Sequence, residues 1–448
     1  MPVEDIRTRA EAMMPDITED LAALVRIPSC AFPGFPPEPV HEAAEAVVDL
    51  LERYGVPNAR LLDVPSGYPT VYAEIPAPAG APTILLYAHY DIQPAPMEQG
   101  WDMEPFEPVI SEGRLYGRGA SDDKSGVMII ASALRLWGGR PPVGVRVLIE
   151  GEEETGSNLE SLIAANPDLV RCDAYVINDG GNMRAGEPEL TAALRGIAAC
   201  DVAVRTLKGM AHSGSYGGGA PDALMALIRI LDQLLDANGD VAIPGLTRFE
   251  WEGGGIPEEE YREAAGVLPG VGLMGTGTLA TRLWARPSVT AIGLDAPATD
   301  DASNSLIPEA KARVSLRIAP GSDPEESLRR LMQHLHDSAP WHVEVVTAPV
   351  NTGDAFMGQT GGPVFAAARE AAAEAFDTEP KVTGSGGTIP LLTTLQRVAP
   401  DAEFVIWGPG DQYSQVHAAN ESLDLVELQR MIVAETLLLE KLGQQAVS

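Results

Sequence analysis

Short apolar runs that each lead into a polar residue, or into a loop that carries one, are the most regular pattern of this chain. Four such runs occur, at 84–88, 145–149, 175–177 and 404–407. Apolar runs of this length predict buried β-strands. Because ligands bind beyond the carboxyl ends of the strands in open α/β sheets, we expect the loops after these four strands to meet in one crevice.

Helical spacing of apolar residues predicts helices around these strands, over 17–26, 41–54, 124–137 and 362–376. Aromatic residues make up only 5% of the chain, so the core must be built mainly from aliphatic side chains. Such a core suits a mostly parallel sheet flanked by Ala-rich helices, which is an α/β architecture.

The pattern changes near residue 190, where strands and helices begin to alternate differently. Asp323, Pro324 and Glu326 have the order of an N-cap, a first helical position and a third helical position, which predicts a helix start. Because 448 residues exceed the usual size of one core, we expect two domains. We assign 1–187 and 353–448 to the larger domain and 188–352 to a small inserted α+β domain. The elements predicted there, besides that helix, are strands at 193–204, 312–318 and 341–346 and a helix at 221–235.

Charge and cysteine content limit the classes of partner. The formal net charge is -33 at pH 7, which would repel nucleic acids and anionic membranes; solubility is the simplest role for that charge. Cys30, Cys172 and Cys200 show no paired spacing, so we expect neither a disulfide framework nor a structural zinc knot. The N-terminus lacks a signal-peptide pattern, and no apolar span of about 20 residues occurs. These features predict a cytoplasmic protein.

Two adjacent acids, Asp122 and Asp123, lie in a glycine-rich stretch before the helix predicted at 124–137. Neighbouring carboxylates repel each other, so a chain that keeps them near other acids and histidines is expected to bind cations there. The carboxylate of Asp122 has two oxygens and can bridge two cations. Asp123 has an ordinary alternative as the N-cap of the helix, and both roles can hold at once.

A second acidic cluster follows the strand at 145–149. Four acids, Glu150, Glu152, Glu153 and Glu154, occur within five positions and precede a Gly-Ser turn. A solvated loop is the usual structure of such a cluster, but its place directly after an apolar strand favours a site. We expect Glu154 to bind metal and Glu153 to act as the general base.

The remaining candidates also follow predicted strands. Asp91 is suited to holding a histidine ring or a neighbouring ligand in place. His89, Asp179 and His417 are each better explained, when taken alone, as a turn or loop residue. Two histidines and three carboxylates together match two divalent metal ions, most simply Zn²⁺, with Mn²⁺ or Co²⁺ as substitutes. The five predicted ligands are His89, Asp122, Glu154, Asp179 and His417.

The blocks around Asp122 and Glu154 resemble those of the di-zinc peptidase and deacylase family. This family includes carnosinase-type dipeptidases, glutamate carboxypeptidase, succinyl-diaminopimelate desuccinylase, acetylornithine deacetylase and aminoacylase, and the resemblance covers essentially the whole chain. It implies that His89, Asp122 and Asp179 hold one metal ion and that Asp122, Glu154 and His417 hold the other. It further implies a cis peptide bond between the two adjacent aspartates, and a homodimer with the insert as a ferredoxin-like lid and dimerisation domain.

The same resemblance implies roles for two residues of the inserted domain. His212 matches a histidine that reaches across a dimer interface to the oxyanion of the transition state. Arg317 matches an arginine that binds the substrate carboxylate, a task suited to its planar guanidinium. The alternative for Arg317 is an ordinary strand residue with a surface ion pair.

The chain departs from the family at Gly384, where carnosinase-type members carry an arginine. Backbone amides from Gly386 to Thr388, that of Gly387 included, could meet the substrate carboxylate together with Arg317. The departure argues against strict carnosine-like specificity.

The predicted reaction is the hydrolysis of dipeptides or similarly small peptides. Two metal ions hold a bridging water, and Glu153 takes its proton and later passes it to the leaving amine. His212 of a second subunit stabilises the oxyanion. An N-acyl-amino-acid deacylase with the same centre is the alternative, because the sequence does not specify the substrate pocket. A non-catalytic metal- or peptide-binding protein is a third, less favoured reading, since neither ligand nor base is missing.

Overall fold

The computed structural model of the chain describes residues 2–253, 255–387, 389 and 391–445. Within these residues the helices are α1 (Val3–Val25), α2 (Glu38–Arg53), α3 (Lys124–Leu136), α4 (Leu159–Ala165), α5 (Ser213–Tyr216), α6 (Ala223–Asp232), α7 (Glu258–Ala264), α8 (Pro324–Asp337), α9 (Pro363–Phe376), α10 (Leu391–Val398) and α11 (Leu425–Gln445). The strands are β1 (Arg60–Leu62), β2 (Thr70–Ile75), β3 (Thr83–His89), β4 (Val109–Ser111), β5 (Arg114–Tyr116), β6 (Gly144–Glu150), β7 (Ala174–Ile177), β8 (Glu189–Leu194), β9 (Gly196–Arg205), β10 (Ala211–His212), β11 (Ser288–Asp295), β12 (Ser305–Leu306), β13 (Glu309–Ile318), β14 (Glu344–Gly353), β15 (Phe356–Met357), β16 (Lys381–Ser385), β17 (Glu403–Ile406) and β18 (Ser422–Asp424).

The chain forms two compact units. Unit 1 comprises Met1–Ala192, Gly358–Val382 and Ile389–Ser448, and unit 2 comprises Ala193–Met357 and Thr383–Thr388. The predicted boundaries at 187/188 and 352/353 lie near the two main crossings between the units. Residues 383–388, which the predicted boundaries place in the larger domain, cluster with unit 2 instead. The roles predicted for the two parts stay predictions.

Unit 1 contains a sheet with the strand order β1-β2-β6-β3-β7-β17. Strands β6, β3, β7 and β17 are parallel, whereas β1 and β2 pair antiparallel. The four predicted apolar runs are these four parallel strands. Leu85 and Leu86 point to opposite faces of β3 and are both fully buried, and burial on both faces explains runs without polar alternation. The predicted mostly parallel α/β sheet is confirmed.

Helices α1, α3, α9 and α11 pack on one another and cover the core of unit 1. Helix α1 begins at Val3, so the predicted start at residue 17 is wrong. Ile6 and Ala10 are fully buried and extend the apolar stripe toward the N-terminus at helical spacing. Pro15 lies inside the helix on its exposed side. The proline therefore breaks the apolar pattern of the sequence without ending the helix.

Unit 2 contains an antiparallel sheet with the order β11-β13-β9-β14. Helices α6 and α8 pack on one face of it. The chain order β9, α6, β11, β13, α8, β14 gives the ferredoxin-like topology that was expected. Asp323 caps α8, accepting a hydrogen bond from the backbone N of Glu326 at 2.8 Å, which confirms the predicted helix start.

Two predicted strands of unit 2 differ from the observed ones. The strand predicted at 193–204 is two strands, β8 and β9, separated at Arg195. The strand predicted at 341–346 begins only at Glu344, because Trp341 and His342 adopt positive φ angles in a short turn. Among the described residues, no helix has the length and apolarity that crossing a bilayer requires.

Candidate metal centre

The parallel strands of unit 1 carry the candidate ligands at one edge of the sheet. His89 is the last residue of β3, Glu154 follows β6, Asp179 follows β7, and His417 lies in the loop after β17. Asp122 lies just before α3. The structure brings these five residues together in two groups that share Asp122, and the candidate ligand atoms of each group lie within 4.8 Å of one another. The groups are those implied by the resemblance: His89, Asp122 and Asp179, and Asp122, Glu154 and His417.

The carboxylate of Asp122 presents one oxygen to each group. Its Oδ1 lies 3.1 Å from Nε2 of His89, and its Oδ2 lies 2.9 Å from Nε2 of His417. Nε2 of His89 is 4.0 Å from Oδ2 of Asp179, and Nε2 of His417 is 3.2 Å from Oε2 of Glu154. This arrangement is suited to a carboxylate that bridges two cations.

Asp123 has a different task from Asp122. Its Oδ1 accepts a hydrogen bond from the backbone N of Gly126 at 3.1 Å, which caps α3, and its Oδ2 accepts one from the backbone N of His89 at 3.1 Å. A Cβ at Gly126 would lie 2.5 Å from Oδ1 of Asp123, so a side chain here would displace the capping carboxylate. The peptide bond between Asp122 and Asp123 is cis, as expected. The N-cap alternative therefore holds for Asp123, while Asp122 faces the ligand groups.

Asp91 lies fully buried behind the candidate ligands. Its carboxylate accepts hydrogen bonds from the backbone N of Glu153 and that of Glu154, each at 3.1 Å. Nδ1 of His89 is 3.4 Å from its Oδ1 and 3.1 Å from its backbone O. One side chain thus contacts both the histidine ring and the turn that carries the candidate base, which fits the positioning role predicted for it.

Burial and crowding of charges shift the pKa values of side chains in the centre. Burial raises the pKa of Glu153 well above its usual range, and the negative charge of Asp179 adds to the effect. Burial also raises the pKa of Asp179 to about 7. Hydrogen bonds to Asp122 and Glu154 raise the pKa of His417 to about 10. Carboxylates that hold protons and an imidazole that favours its cationic form indicate a strongly negative potential, which attracts cations.

The residues present fit a pair of divalent cations. Oε1 of Glu154 is buried and has no hydrogen-bond partner in the described part of the chain, which is costly for a carboxylate oxygen unless a cation satisfies it. Oε2 of the same residue accepts a hydrogen bond from Nε2 of Gln93 at 2.6 Å. The set of imidazole nitrogens and carboxylate oxygens is the one that zinc and similar ions prefer.

Glu421 anchors the loop that carries Asp122, and the sequence-based prediction missed it. Its Oε1 accepts hydrogen bonds from the backbone N of Ser121 at 2.9 Å and from that of Asp122 at 3.0 Å. Its Oε2 accepts one from the backbone N of Gly119 at 3.0 Å and one from Nη1 of Arg118 at 2.6 Å. Its position four residues after His417 was the available signal. Gln93 was missed as well, although it lies two residues after Asp91.

The loop that carries His417 is held by Arg114 of β5, which also had no predicted role. Nη1 and Nη2 of Arg114 donate to the two carboxylate oxygens of Asp411 at 2.6 and 3.1 Å, and its Nε donates to Oγ of Ser422 at 3.0 Å. Both ends of the loop are therefore fixed to one buried guanidinium. His417 itself is 53% exposed and has a φ of 63°, so the loop backbone determines where its ring lies.

The other predicted site residues belong to unit 2. His212 is exposed at the end of β10, where its Nδ1 lies 3.5 Å from Oγ of Ser215. Arg317 is half-buried in β13. The backbone N of Gly387 donates to Oγ of Ser385 at 3.1 Å, and Thr388 lies outside the described residues. The roles of these residues stay predictions.

Comparisons with known proteins agree with the site. The model of Peptidase family M20/M25/M40 matches residues 85–441. The cysteinylglycine-S-conjugate dipeptidase of Corynebacterium striatum is 38% identical over 402 residues, which cover 88% of this chain and 88% of the relative.

Two solved structures share the fold over nearly the whole chain. The di-peptidase Dug1p from Saccharomyces cerevisiae aligns over 99% of both chains with a TM-score of 0.81 at 23% identity, which supports the fold alone. The M20 family metallo-carboxypeptidase Sso-CP2 from Sulfolobus solfataricus aligns over 96% of this chain and 99% of its own, with a TM-score of 0.80 at 26% identity. The family match spans most of the chain, including the five candidate ligands and Glu153. The chain therefore belongs to peptidase family M20/M25/M40, which confirms the suspected family and the prediction of a metal-dependent peptidase.

Proposed function

We propose that this chain hydrolyses dipeptides and similarly small peptides that carry a free C-terminal carboxylate. The observation that carries the proposal is the pair of ligand groups sharing Asp122, beside the buried Glu153 with its raised pKa. The relative from Corynebacterium striatum is named as a dipeptidase. That name favours dipeptides over N-acyl amino acids as the substrate.

Two divalent cations fit the centre, one held by His89, Asp122 and Asp179 and the other by Asp122, Glu154 and His417. When bound, such ions polarise the scissile carbonyl and lower the pKa of water toward neutrality. Zn²⁺ is the ion we propose, with Mn²⁺ or Co²⁺ as substitutes, because the ligands combine imidazole and carboxylate groups.

The side chains of the enzyme carry the proton and hold the reactants. Glu153 takes the proton of the attacking water and donates it to the leaving amine. Asp91 fixes the turn of Glu153 and the ring of His89. Arg317 binds the substrate carboxylate through its planar guanidinium. His212, supplied by the second subunit of a homodimer, donates a hydrogen bond to the oxyanion.

Substitution of Glu153 tests the role of the base. Glu153→Gln and Glu153→Ala should keep both metal ions but lower kcat by about 10²- to 10⁴-fold, the usual contribution of general acid–base catalysis. Glu152→Gln is the matched control in the same acidic cluster, and it should keep kcat near that of the wild type. Metal content is measured by plasma mass spectrometry. A Glu153→Gln protein with full metal content and wild-type kcat would rule out this assignment.

A substrate panel separates the three candidate functions. Purified protein is stripped of metal, reloaded with Zn²⁺ or Mn²⁺, and incubated with dipeptides and N-acetyl amino acids, and products are read by mass spectrometry. Metal-dependent release of amino acids from dipeptides is the expected result. Cleavage of acylated substrates alone would indicate a deacylase, and no cleavage with both ions bound would indicate a binding protein.

The homodimer and the role of His212 are tested by mixing two inactive variants. In a mixed dimer of Glu153→Gln and His212→Ala, one site has an intact glutamate and receives an intact histidine from the other subunit. Mixing should therefore restore activity if His212 acts across subunits, and it should restore none if His212 acts within its own chain.

A cytoplasmic location is part of the same proposal, and fractionation of cells that express the chain tests it.

A further inference from the structure

Arg195 and Arg317 project from the same face of the unit 2 sheet. Ile197 of β9 lies opposite Arg317 of β13, which in turn lies opposite Ser288 of β11. Arg195 precedes Ile197 by two residues, so the alternation of side chains places all four on one face. Nη1 of Arg195 donates to Oγ of Ser288 at 3.0 Å. Because Ser288 is the cross-strand neighbour of Arg317, Arg195 and Arg317 are neighbours on this face.

Ion pairs cover one end of this face. At one end, Arg313 and Lys311 both pair with Asp201, at 2.7 and 2.6 Å. At the other end, the half-buried Arg317 forms no ion pair with any residue that the structure describes. Burial lowers the pKa of Arg195 to about 10, and the positive charge of Arg317 adds to this effect. Two adjacent cations that destabilise each other in a partly buried place are suited to binding an anion.

The guanidinium of Arg195 also lies against the glycine-rich loop at 384–387. The backbone N of Arg195 donates to the backbone O of Ser385 at 3.0 Å, and a Cβ at Gly386 would lie 3.0 Å from its Nη2. At Gly384, a Cβ would lie 2.7 Å from Cβ and Cγ of Trp284. The position at which carnosinase-type family members carry an arginine is therefore closed to a side chain here, and Arg195, between β8 and β9, brings a guanidinium to the same loop.

We propose that Arg195 binds the C-terminal carboxylate of the substrate jointly with Arg317, in place of the arginine that is missing at Gly384. The inference rests on the proposed function, because it adds a specificity-determining residue to that reaction. Two guanidinium groups present enough planar donors for both carboxylate oxygens. A bound carboxylate also relieves the repulsion between the two arginines. The enzyme should therefore select free acids over C-terminal amides.

The test compares alanylglycine with alanylglycinamide, which differ only in the C-terminal group. Arg195→Met should lower kcat/KM for alanylglycine about ten- to hundredfold, mainly through KM, because hydrogen bonds to a charged group are lost. For the amide, kcat/KM should stay near the wild-type value. Arg195→Lys keeps the charge but loses the planar fork. Its preference for the acid over the amide, measured as the ratio of the two kcat/KM values, should fall several-fold. Arg313→Met removes a cation from the same face and serves as the matched control, with no change in that preference.

The ratio of the two kcat/KM values distinguishes binding from a structural role. An equal loss for acid and amide in Arg195→Met would overturn the proposal, since a damaged site affects both substrates. Wild-type kcat/KM values for both substrates in folded Arg195→Met would overturn it too. If Arg195→Met does not fold, an unchanged ratio in Arg195→Lys has the same meaning. Cleavage of alanylglycine by the wild type tests the proposed function separately, because it does not depend on the ratio.

Discussion

Replacement of Glu421 by glutamine should loosen the loop that presents Asp122. The carboxylate of Glu421 is fully buried and accepts four hydrogen bonds, from the backbone N atoms of Gly119, Ser121 and Asp122 and from Nη1 of Arg118. A glutamine keeps one acceptor oxygen at one end of the group. Its other end becomes an NH₂ donor, which must face two further donors.

The cost follows from these contacts. The 2.6 Å ion pair between Glu421 and Arg118 is buried on both sides, and removal of one partner of a buried pair costs about 3–5 kcal/mol. That loss is a large share of a typical free energy of unfolding of about 5–15 kcal/mol. Both ligand groups contain Asp122, so affinity for both cations should fall, by about 10- to 100-fold as for other residues that position ligands.

Two measurements check this prediction. Urea unfolding of the metal-free proteins gives the change in the free energy of unfolding without any contribution from bound ions. Calorimetric titration with Zn²⁺ then gives the affinities of the folded proteins. Glu104→Gln, which alters an exposed acid, is the control. A Glu421→Gln protein within about 0.5 kcal/mol of the wild type, the range of neutral surface changes, and with unchanged affinities would refute the reasoning.

Two further predictions concern the His417 loop and the pH dependence of stability. Arg114→Met releases both ends of that loop, so the affinity for one cation only should fall about tenfold or more in a stepwise calorimetric titration. The affinity of Arg114→Lys should lie between those of this variant and the wild type. Equal weakening of both cations would contradict the prediction. Hydrogen bonds, chiefly from Arg313, lower the pKa of Asp201 from 3.8 to about 2, so its stabilisation is complete above about pH 4 and is lost as the pH falls toward 2. Asp201→Asn should flatten this part of the curve of unfolding free energy against pH, and a curve parallel to that of the wild type would contradict the assignment.

The sheet and the ligands could be predicted because their signals are local. Strands buried on both faces read as continuous apolar runs, and parallel neighbours end at the same edge. His89, Asp179 and His417 could therefore be grouped although each is ambiguous alone. The cap at Asp323 depends on residues three positions apart, which the sequence shows directly.

The residues that hold the site in place could not be predicted, because their partners are distant in the chain. Glu421 accepts a hydrogen bond from Ser121, 300 positions earlier, and Arg114 meets Asp411 across 297 positions. No local pattern marks such pairs. Arg195 lies inside a predicted strand, and its environment depends on the loop at 384–387 and on Ser288. The early start of α1 was missed because proline usually ends a helix.

The sharing of Asp122 between two ligand groups has a consequence for the newly made chain. His89, Asp122 and Asp179 have all left the ribosome by the time residue 179 emerges beyond its exit tunnel, whereas His417 follows only after the whole of β9 to β17. Domains fold as units, and unit 1 includes 389–448 as well as the N-terminal residues. An unfinished chain lacks both His417 and the Glu421 carboxylate that holds the Asp122 loop, so it cannot assemble the pair of sites that hydrolysis requires. Activity is withheld until the last segment arrives, and incomplete or prematurely ended copies of this peptidase should be harmless to the peptides around them.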